Sequence, residues 1–151
     1  MVCLKILVDA DACPVKECIV KIAKKFKIPV IMFIDTSHEL DDGYSKVITV
    51  EKAKDSVDFA LINKVSKGDI VVTQDYGVAT MALSKCARAI NQNGLIFTDK
   101  NIDKLLYERY VSQKVRRAGG RTRGPAKRTD EDDEKFERAF LSLLNEARSQ
   151  Y

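Results

Sequence analysis

Asp9 and Asp11, in the stretch LKILVDADACPVK (residues 4–16), are the pair whose types and spacing most invite chemistry. They end an apolar run, Leu4 to Val8, and stand just ahead of Cys13 and Pro14. A short apolar run bounded by turn signals reads as a buried strand of a parallel sheet, and proline favours the first turn of a helix. Two carboxylates thus sit where a strand hands over to a helix, the edge at which open α/β sheets bind ligands. Asp35, Asp75 and Asp99 each follow a later apolar run. If the strands are mainly parallel, all these acids share one rim. Asp55 and Asp58, three apart on an expected helix, can face the same cleft. Clustered carboxylates repel and hold their protons more tightly unless a cation joins them. Hard oxygen ligands suit Mg²⁺ or Mn²⁺, and one or two such ions orient water and stabilise an in-line displacement at phosphate. For Asp35 and Asp99 taken singly, a turn or cap is the simpler reading. Asp69 opens its strand, and at ~3.3 Å per residue it lies well over 10 Å from Asp75.

The elements that must position these acids follow from periodicity. Strands are expected near 4–9, 30–35, 47–50, 69–73 and 95–98. Val15, Cys18, Ile19, Ile22, Ala23 and Phe26 give the apolar stripe of a helix at 14–26. Further helices are expected at 54–66, 77–90 and from 101 to 111 or beyond. Phe136, Ala139, Phe140, Leu143, Leu144 and Ala147 mark a terminal helix that Thr129 can cap, with the acids 130–134 opposing its dipole. The organisation expected is an α/β domain over 1–112, a basic Gly/Arg-rich segment over 113–128, and an amphipathic helix over 129–151 that docks on the domain.

Bulk properties narrow the field. The 151 residues, 45% hydrophobic and 32% charged, suit one soluble domain. No apolar run approaches the ~20 residues of a membrane helix, so a membrane partner is not expected, and the N-terminus reads as strand rather than signal peptide. Four cysteines without framework spacing point to a reduced, cytoplasmic protein. His38 is the only histidine, which argues against a zinc site or a serine–histidine–aspartate triad. Cys13 lies at a helix start but has no evident base, so packing is its simpler role.

The net charge of +4 is unevenly spread. Lys114, Arg116, Arg117, Arg121, Arg123, Lys127 and Arg128 fall in one stretch without an acid. A solvated linker is one reading. Phosphate contact is the other, with Arg116, Arg117, Arg121, Arg123, Lys127 and Arg128 as candidate nucleic-acid ligands. Tyr76 and Tyr107 could stack on bases, or simply pack.

VDADACPVK (8–16), GDIVVTQDYGVA (68–79) and GGRTRGPAKRT (119–129) together resemble the signatures of the YaiI/YqxD-type family of bacterial proteins. That family is regarded as related to the PIN-like superfamily, which includes metal-dependent ribonucleases. The resemblance implies a PIN-like three-layer sandwich with a mainly parallel sheet of about five strands and a C-terminal helix. It implies catalytic carboxylates at Asp9, Asp58 and Asp75, with Asp11 and Asp99 as possible further members. Metal ligands would be Asp9, Asp11, Asp75 and Asp99, holding Mg²⁺ or Mn²⁺ for hydrolysis of RNA or DNA, with RNA the favoured partner. Two other readings stay open: a nucleic-acid-binding protein without catalysis, and a haloacid-dehalogenase-like phosphatase using Asp9 and Asp11 with Thr73 on the phosphate. Against the phosphatase stands the lack of its later lysine and paired-acid motifs.

Overall fold

The structure is a computed structural model that describes residues 4–11, 13–121 and 127–149. The strands are β1 (Ile6–Asp9), β2 (Val30–Asp35), β3 (Lys46–Val50), β4 (Ile70–Val72), β5 (Arg88–Ile90) and β6 (Ile96–Phe97). The helices are α1 (Lys16–Phe26), α2 (Ser56–Lys64), α3 (Tyr76–Ser84), α4 (Asp99–Arg117) and α5 (Asp130–Arg148). The strands form one sheet in the order β3-β2-β1-β4-β5-β6. Every pairing is parallel except β5 with β6.

Strand alternation sends successive side chains to opposite faces, and here both faces are covered. Ile6 and Val8 enter a core shared with α1 and α5, whereas Leu7 enters one shared with α2, α3 and α4. The result is a three-layer α/β sandwich. Phe136, Phe140, Leu143 and Leu144 of α5 are buried, and the two phenylalanine rings stack at 5.3 Å. Burying side chains of this size contributes about 1.5–3 kcal/mol each, ample to dock the terminal helix. Thr129 caps α5 in a reciprocal capping box with Asp132. Among the described residues no helix is long and apolar enough to cross a membrane.

Two expectations need correction. The helix anticipated over 77–90 ends at Ser84, and residues 88–90 form β5, a sixth strand hydrogen-bonded to β4. Cys86, at φ 61°, turns the chain between them. Alanines at 82, 87 and 89 suit either element, and a three-residue strand has too few positions to show its period. Secondly, β6 runs antiparallel, with Ile90 opposite Ile96 and Ala89 opposite Phe97. The end of β6 therefore points away from the rim where the other strands finish.

The strand order also fixes where a site can form. From β1 the chain moves one way to β2 and β3, then returns to place β4 on β1's other side. The crevice beyond the ends of β1 and β4 is the topological switch point, the usual ligand position in such sheets.

Candidate functional site

Asp9 closes β1 at this switch point and Thr73 follows β4 beside it. The Thr73 hydroxyl donates to Asp9 Oδ2 at 3.2 Å and accepts from the Asp75 backbone N–H at 3.0 Å. Asp75 is the N-cap of α3: its Oδ1 accepts from the amides of Gly77 (2.7 Å) and Val78 (3.1 Å). A Cβ on residue 77 would lie 3.0 Å from that oxygen, so glycine gives the amide its close approach. The cap uses Oδ1, and none of these cap bonds falls on Oδ2.

Electrostatics record how closely the acids gather. The Asp9 carboxyl is pushed up to about 6, by burial first and then by the charges of Asp58, Asp11 and Asp75, against the opposing hydrogen bond from Thr73. Asp58, on α2, is itself raised by burial and by Asp75 and Asp55. Three separate segments thus contribute: Asp9 and Asp11 at the end of β1 and Asp75 before α3 line one cavity, and Asp58 on α2 lies near enough for its charge to raise Asp9. Asp99 is not brought to them: it is exposed in the first turn of α4, beyond the reversed end of β6. Asp69 lies at the amino end of β4, fully buried and paired with Lys5 Nζ at 2.6 Å.

Asp11 also belongs to a second group. Asp11, Asp35 and His38 each bring one ligand atom to within 4.8 Å of the others. The Asp35 amide donates to Asp11 Oδ2 at 3.2 Å. His38 Nδ1 comes within 2.9 Å of Asp11 Oδ1, yet not along a hydrogen-bonding direction, so that buried oxygen has no hydrogen bond. Asp35 is drawn down to about 2, chiefly by hydrogen bonds from Ser37. His38, set aside in the sequence for want of a second histidine, is a neighbour of the site.

The acids open into a cavity of about 710 Å³. Asp9, Asp11, Thr73 and Asp75 line it from the sheet edge, and Arg109, Ser112 and Arg116 line it from α4. Of the six basic candidates from the sequence, Arg116 reaches this cavity. Arg117, Arg121 and Lys127 are exposed elsewhere, and Arg123 lies outside the described residues. Arg128 is committed to structure: it bonds Asp133 Oδ1 (2.7 Å), Asn93 Oδ1 (3.0 Å) and the Gln92 carbonyl (2.9 Å). Arg109 was missed, since its place is set by the direction of β6, which its own neighbours do not encode. Tyr76 lines the cavity, whereas Tyr107 is 67% exposed on another face of α4. Burial raises the Cys13 thiol, which keeps it protonated and unreactive.

Comparison with known proteins agrees with the motifs. The family described as "Uncharacterized BCR, YaiI/YqxD family" matches residues 7–146. A UPF0178 protein of Ruminiclostridium cellulolyticum is 68% identical over 141 residues, 93% of this chain and 92% of its own. UPF0178 proteins of Alkaliphilus oremlandii and Exiguobacterium sibiricum are 54% and 47% identical, across 95% of this chain and 92% and 98% of theirs. No solved structure matches. The match runs through both acid-bearing motifs at the switch point and on into α5, and on that extent the chain belongs to the YaiI/YqxD family.

Proposed function

We propose that the protein is a divalent-metal-dependent nuclease that hydrolyses phosphodiester bonds, with RNA as the favoured substrate. The observation that carries this reading is the presence of Asp9, Asp11 and Asp75 on one wall of a switch-point cavity whose other wall holds arginines, with the charge of Asp58 near enough to raise Asp9. The resemblance to PIN-like nucleases supports it, through Asp9, Asp58 and Asp75. A cation fits the residues present. The donors of Asp9, Asp11 and Asp75 are hard carboxylate oxygens, and the crowded charge holds a proton on Asp9 up to about 6; Asp11 Oδ1, buried without a hydrogen bond, lies 2.9 Å from His38 Nδ1.

Asp9, Asp11 and Asp75 would hold Mg²⁺ or Mn²⁺, with Asp58 adding negative potential at Asp9. Such an ion supplies positive charge to a phosphodiester and orients an attacking water. The protein's own part is to fix the carboxylates. Thr73 tethers Asp9, and the α3 cap locks Asp75 in one rotamer. No side chain needs to form a covalent bond with substrate.

The test is cleavage of end-labelled RNA by the purified protein in Mn²⁺ and in EDTA, beside Asp9→Asn and Asp75→Asn. Cleavage that requires Mn²⁺ and vanishes in both variants, with RNA still bound, supports the proposal. Equal cleavage by the variants and the original protein removes these carboxylates from the reaction. Salt-sensitive binding with no cleavage at all leaves the non-catalytic binding protein as the reading.

A further inference from the structure

The two walls of the cavity carry opposite charge. Leu105, Arg109, Ser112 and Arg116 recur at i, i+4, i+7 and i+11, which places them on one face of α4. The Arg109 guanidinium lies 5.7 Å from the centroid of the Tyr76 ring, and that ring is braced edge-on against Phe97. A planar cation held over an aromatic face is pre-organised, so less side-chain freedom is lost when an anion arrives. Among the described residues Arg109 makes no ion pair with the acids of the rim. Glu108, the acid that α4 adds to the cavity, lies 3.8 Å from Lys104. Arg109 therefore gives the cavity a basic pole set apart from its acidic one.

We infer that Arg109, with Ser112 and Arg116, forms a subsite for a second phosphate, so that the preferred substrate is an oligonucleotide rather than a simple phosphodiester. This rests on the hydrolase reading for the acidic pole. The scissile phosphate sits at the carboxylates, and a neighbouring phosphate along the strand takes a forked pair of bonds from Arg109. The volume of about 710 Å³ accommodates more than a lone phosphate, as this division requires. Arg109 is then a positioning and specificity residue, remote from the reacting atoms.

The experiment uses the full chain, a fluorescent RNA tetranucleotide and bis(4-nitrophenyl) phosphate, which carries one phosphate. In EDTA, Arg109→Ala is expected to bind the RNA roughly tenfold less tightly, and to flatten the dependence of log affinity on log salt by about 0.7. Arg109→Lys should regain the salt slope but not the full affinity, since the fork is lost. Lys100→Ala, exposed at the far end of α4, removes the same charge and should change neither. In Mn²⁺, Arg109→Ala should raise KM for the RNA severalfold more than it lowers turnover of the one-phosphate ester. Equal binding by Arg109→Ala and Lys100→Ala overturns the subsite. So does an equal loss on both substrates, which would put Arg109 on the scissile phosphate. Binding weakened by Arg109→Ala in a protein that never cleaves supports the subsite and sinks the hydrolase reading instead. Cleavage with an unaltered KM does the reverse.

Discussion

At the scale of single residues, Asp9 has a cost that can be measured. Its proton is held up to about 6 in the fold against an ordinary 3.8. The folded state binds that proton more tightly than the unfolded chain, so the contribution of Asp9 to stability falls as pH rises through that interval. In EDTA, Asp9→Asn should therefore stabilise the protein at pH 7.5, by up to about 3 kcal/mol at 1.36 kcal/mol per unit. The gain should shrink as pH falls toward 4. Urea denaturation at the two pH values reads it directly, and equal stability at pH 7.5 would mean that Asp9 feels no crowding. Asp75 calls for a different substitution logic. Asparagine caps helices about as well as aspartate, so Asp75→Asn removes charge with little harm to α3, whereas Asp75→Ala should also lose about 1 kcal/mol of capping.

At the scale of elements, Arg128 shows how far charge alone misleads. A basic run between glycines invites phosphate, yet this side chain staples the loop after β5 to the start of α5. Arg128→Ala is expected to lower stability by about 1–3 kcal/mol, through lost charge-assisted bonds, while leaving RNA affinity close to unchanged. Thermal unfolding paired with a binding titration separates the two effects. Much of the layout was legible in the chain: Leu4–Val8 and Val30–Ile34 announce buried strands, and the 136–147 stripe announces α5. What escaped was set by pairing rather than pattern. Ala89 and Ile90 become strand because β4 offers them a hydrogen-bonding edge. Nothing in Ile96-Phe97 states that β6 runs backward. Asp99 was lost from the rim and Arg109 gained for the cavity by that single reversal.

At the scale of the molecule, the proposed cation site would make stability depend on divalent ions. A ligand that binds only the folded state stabilises it by mass action, about 2.7 kcal/mol at a hundredfold excess over Kd. For a chain of this length that corresponds to a rise in Tm of about 5–10 °C. Mn²⁺ or Mg²⁺ should produce such a shift at pH 7.5 in the original protein, and little or none in Asp9→Asn or Asp75→Asn. Differential scanning calorimetry in chelated and metal-supplemented buffer gives the comparison. A Tm indifferent to both ions in every variant would exclude the carboxylates as a cation site.

The loop between β5 and β6 ties distant parts together. Gly94 packs so closely on α5 that a Cβ there would meet the Lys135 carbonyl oxygen at 3.0 Å, while Gln92, two residues earlier, lines the cavity. The last helix therefore props up one side of the cavity without lining it. Deleting α5 should remove that support and also uncover the sheet face packed beneath it, so a truncation that loses RNA binding would not by itself identify a ligand-binding residue.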